Sequence, residues 1–114
     1  MPARILIVED NALIALDLAQ ALTKAGFEVL GPAASPEQAL LIISERGCDA
    51  AVVDINLRGE TSEPVALQLK ALGIPFITLT GYSLSQRPPA FEGVPAFTKP
   101  VAPEFIITEL SKLV

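Results

Sequence analysis

The sequence lacks histidine and tryptophan, and it has a single cysteine, Cys48. Without histidine, the chain cannot form a histidine-based catalytic triad or a histidine-ligated metal site. One cysteine cannot form an internal disulfide, which is typical of proteins in a reducing cytosol, so we expect a cytoplasmic protein. We also expect Cys48 to fill space in the core as a small apolar side chain rather than to react.

Long apolar runs and excess positive charge are also missing. No stretch of about 18 apolar residues is present, and the N-terminus has no basic and apolar leader, so we expect neither a membrane span nor a signal peptide. The net charge of −5 argues against non-specific binding to nucleic acid and to an anionic membrane surface. It is compatible with a cation or a basic partner, and equally with an ordinary acidic surface.

The chain does contain regular apolar periodicity. Its 114 residues are 51% hydrophobic but only 5% aromatic, which predicts one domain over residues 1–114 with an aliphatic core. Short apolar runs that suit buried strands alternate with segments of helical period, and this pattern predicts an α/β fold with a parallel sheet. The predicted strands cover residues 4–8, 27–30, 49–54, 74–79 and 96–98. The predicted helices begin after Asn11, at Pro36, before Val65 and at Pro103.

Several boundaries follow from turn residues. We expect Asn11 to cap the first helix, whose apolar face contains Leu13, Ile14, Leu18, Leu22 and Ala25. Gly31-Pro32 is expected to end the second strand, and residues 57–60 are expected to form a loop. Residues 83–94 contain Pro88, Pro89 and Gly93, so a fourth helix there should be short or absent.

The most informative residues follow the strands. In a parallel α/β sheet the site lies outside the carboxyl ends of the strands. Acids, a hydroxyl and an ammonium are predicted to meet there. They are Glu9 and Asp10 after the first strand, Asp54 after the third, Thr80 and Gly81 after the fourth, and Lys99 after the fifth.

Each of these residues also has an ordinary structural interpretation. Asp10 alone is equally typical of a helix cap, Asp54 and Thr80-Gly81 of turns, and Lys99 of a solvated side chain. Their joint appearance at one sheet edge favours a functional site. Clustered carboxylates repel unless a cation lies among them, and oxygen ligands suit Mg²⁺. A site with Mg²⁺, lysine and a hydroxyl suits a phosphoryl group, with Asp54 as the candidate nucleophile.

These motifs resemble the receiver domains of bacterial two-component response regulators. The resemblance covers nearly the whole chain, through ILIVEDN, VVDINL, LTG and TKP. It implies a flavodoxin-like, doubly wound sheet of five parallel strands in the order 2-1-3-4-5. It also implies that Asp54 accepts a phosphoryl group from a sensor histidine kinase, or exchanges it with a histidine phosphotransfer protein.

The resemblance further implies the role of each site residue. Asp10 and Asp54 would bind Mg²⁺ through carboxylates, Asn56 through its backbone carbonyl, and Glu9 through a metal-bound water. Thr80 and Lys99 would hold phosphoryl oxygens, with help from the backbone near Gly81. The Lys99–Pro100 bond, which we include in the switch region, would be cis. The output would be binding to a further protein, whose identity the sequence does not give, and the domain would not be an enzyme beyond its own phosphorylation and slow dephosphorylation.

The sequence departs from the usual receiver pattern at Ala96. Most receivers carry Tyr or Phe at this position, three residues before the lysine, and that aromatic reports phosphorylation. Receivers that are often paired with HWE-type histidine kinases instead carry a PFxFATGY signature, of which this chain has Pro75-Phe76 and Thr80-Gly81-Tyr82. We hypothesise that Tyr82 is the aromatic reporter, although simple packing of Tyr82 over a loop explains its presence equally well.

Other interpretations compete with a switching receiver. The chain could be a pseudo-receiver that binds partners without switching, although every acid, the threonine and the lysine are present. It could be a receiver fragment of a longer regulator. A dehalogenase-like phosphatase usually has Asp-x-Asp after the first strand, where this chain has Glu9-Asp10-Asn11. A dinucleotide site is disfavoured, since no Gly-x-Gly-x-x-Gly follows that strand.

Overall fold

The computed structural model of the chain describes residues 2–81 and 88–114. One parallel sheet of five strands runs through this part of the protein, and a short hairpin lies beside it. The strands are β1 (Arg4–Val8), β2 (Glu28–Ala33), β3 (Ala50–Asp54), β4 (Asn56–Leu57), β5 (Glu60–Thr61), β6 (Phe76–Thr80) and β7 (Ala96–Thr98). The sheet order is β2-β1-β3-β6-β7, with all neighbours parallel. Counted over the sheet strands alone, this is the predicted 2-1-3-4-5 order.

Four α-helices connect and cover the strands in the described residues. They are α1 (Ala12–Lys24), α2 (Pro36–Glu45), α3 (Glu63–Ala71) and α4 (Pro103–Leu113). The predicted cap is present, since Asn11 Oδ1 accepts the N–H groups of Leu13 and Ile14. At the start of α2, Ser35 Oγ accepts the N–H of Gln38. These side chains satisfy N–H groups that have no partner within their own helix, which fixes where α1 and α2 begin.

The sheet is buried on both faces by helices. One core cluster joins Leu6, Val8 and Val53 to side chains of α2 and α3, and the other joins Ile5 and Ile7 to side chains of α1 and α4. Alternate residues of each central strand therefore face opposite helix pairs, as the two-residue period of a strand requires. This arrangement explains why the apolar residues of β1 and β3 form continuous runs rather than alternating with polar residues.

Two residues predicted on the apolar face of α1 are exposed instead. Ala25 is exposed just after the last residue of α1. Leu13 is 75% exposed, whereas Leu18 and Leu22 are buried. Leu13 lies five residues before Leu18, which at 3.6 residues per turn places it about 140° around the helix from Leu18. Ala15, seven residues before Leu22, lies on the buried face instead.

The second strand does not stop at Gly31-Pro32. β2 continues to Ala33, where the register with β1 shifts and Glu9 N–H donates to the Ala33 carbonyl at 2.9 Å. β2 is an edge strand, and proline is tolerated at a sheet edge because its missing N–H removes no necessary ladder bond. Gly31 has a φ of 89°, which only glycine adopts without strain, and a Cβ there would lie 2.7 Å from the Ala33 nitrogen.

The predicted loop at residues 57–60 is instead the tight turn of the β4–β5 hairpin. Asn56 pairs with Thr61 and Leu57 with Glu60. The two turn residues, Arg58 and Gly59, have φ values of 48° and 85°. Positive φ at both central residues is the signature of the type I′ turn that suits two-residue hairpin loops.

The region of the expected fourth helix is only partly described. Residues 82–87 lie outside the described residues. Between residue 88 and β7, the described part contains one short 3-10 turn, Pro89–Phe91, whose Phe91 is fully buried against α3 and β6 side chains. No α-helix is present between residues 88 and 95, which agrees with the prediction that a fourth helix is short or irregular.

Among the described residues, no helix is both long enough and apolar enough to cross a membrane.

Candidate functional site

The ends of three sheet strands bring the acids and the lysine of the predicted site to one edge. β1 is followed by Glu9 and Asp10, β3 ends at Asp54, and β7 is followed by Lys99. One carboxylate oxygen from each of Glu9, Asp10 and Asp54 lies within 4.8 Å of the others. The strand topology thus assembles three acids that are far apart in the sequence.

Lys99 joins two of these acids. Its Nζ lies 2.6 Å from Asp54 Oδ2 and 2.7 Å from Glu9 Oε1. Both acids are buried, with Glu9 2% and Asp54 4% exposed. Two buried carboxylates around one ammonium leave a local excess of negative charge, to which Asp10 adds a third carboxylate.

Burial governs the titration of Glu9. It raises the pKa of Glu9, and the nearby charge of Asp54 adds to the rise. The Lys99 ammonium and the Asn11 N–H, which donates to Glu9 Oε2 at 3.0 Å, oppose this rise without cancelling it. Glu9 therefore has less tendency to ionise than an exposed glutamate.

Lys99 is held in its charged form. Burial alone lowers the pKa of Lys99, but the hydrogen bonds and charges of Asp54 and Glu9 outweigh burial and raise it. An ammonium that stays protonated remains available to an incoming anionic group.

Asp54 is fixed by its own chain segment. Its Oδ1 accepts the N–H of Asn56 at 3.4 Å, and its backbone carbonyl accepts the hydroxyl of Ser62 at 2.6 Å. Ser62 is fully buried before α3, and its N–H also donates to the Ile55 carbonyl at 2.8 Å. Ser62 was not predicted from the sequence as a site residue. The available signal was its position before Glu63-Pro64, which is typical of a helix start.

Asp10 is contacted from the hairpin. The backbone N–H of Arg58 donates to Asp10 Oδ2 at 2.9 Å. Arg58 was also not predicted from the sequence as a site residue. The available signal was the Arg58-Gly59 pair between two short two-residue segments. That pair lacks the Asn or Asp that usually marks a type I′ turn.

An open pocket lies over these residues. It has a volume of about 450 Å³ and is lined by Asp10, Asn11, Asp54, Asn56, Gly81 and Lys99. A Cβ added at Gly81 would meet no described atom within 4 Å, so packing against the described residues does not require glycine at this position. The absence of a side chain leaves room at the pocket wall.

The remaining predicted switch residues are Thr80, Pro100 and Tyr82. Thr80 is 2% exposed at the end of β6, and its carbonyl accepts the Lys99 N–H at 2.8 Å, which ties the two strand ends together. The Lys99–Pro100 bond is cis, as the resemblance implies. Tyr82 lies outside the described residues, so the hypothesis that it reports phosphorylation stays a prediction.

Ala96 lies where the resemblance expects an aromatic reporter. It pairs with Thr78 in the sheet, whereas Phe97 pairs with Leu79 and packs against the cluster formed with α1 and α4. Phe97 is therefore on the opposite face from Ala96, as the two-residue period of a strand requires.

The donor atoms fit a hard divalent cation. The carboxylates of Asp10 and Asp54 line the open pocket, and that of Glu9 lies close to both. The pocket leaves space for the waters that Mg²⁺ retains. The described residues thus supply both a cation site and, in Lys99, a fixed positive charge beside Asp54.

Comparison with known proteins agrees with this geometry. The family model of the response regulator receiver domain matches residues 5–110. The chain therefore belongs to the family of response regulator receiver domains, with the flavodoxin-like fold of CheY. Receiver domains generally bind Mg²⁺ at an acidic pocket, and the Glu9, Asp10 and Asp54 cluster is such a pocket.

Particular relatives can be named. SdrG from Sphingomonas melonis Fr1, known from a solution structure, is 37% identical with a TM-score of 0.84, covering 98% of this chain and 96% of that chain. A CheY-like receiver domain protein from Methanospirillum hungatei JF-1 is 26% identical with a TM-score of 0.88, covering 98% and 93%.

A curated relative is longer. The transcriptional regulatory protein PdtaR from Mycobacterium tuberculosis is 31% identical over 84 residues, which cover 73% of this chain and 41% of that protein. The chain thus spans less than half the length of this relative.

Proposed function

We propose that this protein is a switching receiver that accepts a phosphoryl group on Asp54 in a Mg²⁺-dependent reaction. The observation that carries the proposal is the buried Asp54 carboxylate at an open pocket, with Lys99 Nζ 2.6 Å away and two further acids beside it. The family membership and the resemblance of the site motifs support the same role.

The chemistry is a transfer between two residues of different proteins. A carboxylate oxygen of Asp54 bonds to the phosphorus of a phosphohistidine, and the phosphorus–nitrogen bond breaks. The electron pair of that bond leaves with the imidazole, which is neutral when its other nitrogen carries a proton. The product is an acyl phosphate on Asp54, a type of intermediate that carboxylates are known to form.

Each neighbouring residue has a role in this proposal. Mg²⁺ would be held by the carboxylates of Asp10 and Asp54, by the backbone carbonyl of Asn56, and by Glu9 acting through a water. When bound, the cation supplies positive charge against the carboxylates and the phosphoryl oxygens. Lys99 turns from Asp54 to a phosphoryl oxygen, Thr80 donates its hydroxyl to another, and the backbone near Gly81 approaches a third.

The partners follow from the same proposal. The donor is a sensor histidine kinase, of the HWE type on the strength of Pro75-Phe76 and Thr80-Gly81-Tyr82, or a histidine phosphotransfer protein. The output is a change in binding to a further protein in a phosphorelay. We also propose that residues 1–114 form one receiver domain and that the protein lies in the cytoplasm. The unpaired, buried Cys48 would stay reduced there.

Beryllofluoride binding tests the proposal without a kinase. In the presence of Mg²⁺, this phosphoryl analogue should shift the amide NMR signals around Asp54, Gly81 and Lys99 in the wild type. The Asp54→Asn variant, which keeps the shape of the side chain but lacks the nucleophilic oxygen pair, should show no such shift. Identical spectra of the wild type with and without the analogue would contradict the proposal and favour a non-switching pseudo-receiver.

We also propose that Tyr82 reports the phosphorylated state. The support is the alanine at position 96, which has no ring to reorient, and the aromatic two residues after Thr80. Tyr82→Ala should still be phosphorylated on Asp54 but should lose the phosphorylation-dependent change in partner binding, and Tyr82→Phe should keep it. Normal signalling by the Tyr82→Ala variant would overturn this assignment.

A further inference from the structure

The β4–β5 hairpin contacts the site at its tip. The N–H of Arg58 donates to Asp10 Oδ2 at 2.9 Å, a contact between residues 48 positions apart. Asp10 follows β1, whereas Arg58 follows the segment that carries Asn56. The hydrogen bond therefore links the two chain segments that would supply separate ligands to the cation.

The backbone at the tip is in an unfavourable conformation. Arg58 has a φ of 48°, the only positive φ of a non-glycine residue in the described part of the chain. The Cβ of an L-residue disfavours this left-handed region, and asparagine or glycine is the usual occupant of this turn position. Such conformations persist where the surroundings impose them, and they occur often at functional sites.

The base of the hairpin is fixed independently of the tip. Leu57 is 1% exposed and packs in the core cluster with Ile55 and Val65. Ser62 closes the base through its hydrogen bonds to the carbonyls of Asp54 and Ile55. With the base fixed, the left-handed turn sets where the Arg58 N–H points, and it points at Asp10.

From this geometry we infer that Arg58 is a positioning residue for the cation site, acting through its backbone N–H and not through its charge. The hydrogen bond engages one oxygen of the Asp10 carboxylate, fixes the orientation of the group and leaves the other oxygen for the cation. Hydrogen bonds to ligating carboxylates commonly have this function, and their loss typically weakens metal affinity by about tenfold or more. The inference rests on the proposed Mg²⁺ site.

Two substitutions separate the backbone from the charge. Arg58→Asn removes the guanidinium but keeps a residue that tolerates the left-handed conformation. Arg58→Val removes the same charge but places a β-branched residue where positive φ is a severe outlier, so the turn and its N–H should shift. Both changes lie at an exposed tip, and thermal melts check that both variants fold.

The measurement is the Mg²⁺ dissociation constant by titration calorimetry, with MgCl₂ as the ligand. We expect the wild type and Arg58→Asn to agree within about twofold and Arg58→Val to bind about tenfold more weakly. Equal affinity in all three proteins would overturn the inference, and so would equal losses in both variants, which would assign the effect to the guanidinium. If the wild type binds no Mg²⁺, the proposed cation site falls, and this inference falls with it.

Amide hydrogen exchange gives a second readout that does not depend on metal affinity. The amide at residue 58 should be protected in the metal-free wild type and in Arg58→Asn, and it should exchange faster in Asp10→Ala, which removes the acceptor. Rapid exchange in the wild type, or unchanged protection in Asp10→Ala, would contradict the contact itself.

Discussion

At the scale of single residues, the site depends on the sharing of one ammonium by two buried carboxylates. Lys99 lies within 2.7 Å of both Glu9 and Asp54. Breaking a buried ion pair by removing one partner is usually destabilising, because the remaining charge loses its compensation. Lys99 therefore has a structural role, in addition to the chemical role proposed for it.

Replacement of Lys99 by methionine should reveal that structural role. At pH 7 we expect Lys99→Met to lower the free energy of unfolding by about 2 kcal/mol, less than a fully buried pair because the lysine side chain is 22% exposed. The loss should be smaller at pH 5 than at pH 7, because burial raises the pKa of Glu9, and a protonated Glu9 no longer repels Asp54. Urea unfolding at both pH values measures this. Lys112→Met, at an exposed position, is the control and should change stability by less than about 0.5 kcal/mol.

Cys48 gives a test of the core at high pH. Burial raises the pKa of Cys48 to about 11 from its ordinary 9.0. The thiol of the unfolded chain therefore ionises first, so stability is lost as the pH rises from about 9 to about 11. Relative to Cys48→Ala, the wild type should lose about 1 kcal/mol of unfolding free energy between pH 7.5 and pH 10, measured in urea. A constant difference between the two proteins over this range would show that the thiol is not shielded.

At the scale of elements, the start of α1 connects the fold to the site. Asn11 lies at the pocket wall, caps α1 through Oδ1, and donates its own N–H to Glu9. The residue that begins the helix therefore also orients an acid of the site.

Removal of the Asn11 cap should weaken α1. Asn11→Ala should lower the free energy of unfolding by about 1 kcal/mol, because two N–H groups at the helix start lose their acceptor. Asn11→Ser keeps an acceptor oxygen and should retain most of the stability. Urea unfolding of the three proteins decides this, and an Asn11→Ala variant as stable as the wild type would show that solvent replaces the cap fully.

The sequence predicted elements well where the cause was local. Buried strands followed from apolar runs such as Ile5–Val8, and helix starts followed from Asn11 and Ser35-Pro36. Apart from the placement of Leu13 on α1, the errors arose where the cause lies elsewhere in the fold. Gly31-Pro32 does not end β2, because the strand is at the sheet edge, and Arg58 adopts a left-handed conformation that its residue type disfavours.

At the scale of the whole molecule, the site follows from topology. The parallel sheet directs all carboxyl ends of its strands to one edge, so the sequence alone was enough to group Glu9, Asp10, Asp54 and Lys99. Their distances and burial could not be predicted, nor could the role of Ser62 and Arg58, whose contacts join segments through the backbone. The strand order itself came from the resemblance to receivers and not from periodicity.

The proposed function as a whole depends on phosphorylation of Asp54. The most direct measurement is the intact mass of the protein after incubation with acetyl phosphate and Mg²⁺. We predict that the wild type gains the mass of one phosphoryl group, and that this gain is absent with EDTA and in Asp54→Asn. A wild type that stays unmodified in the presence of Mg²⁺, or an Asp54→Asn variant that is modified to the same extent, would contradict the central claim.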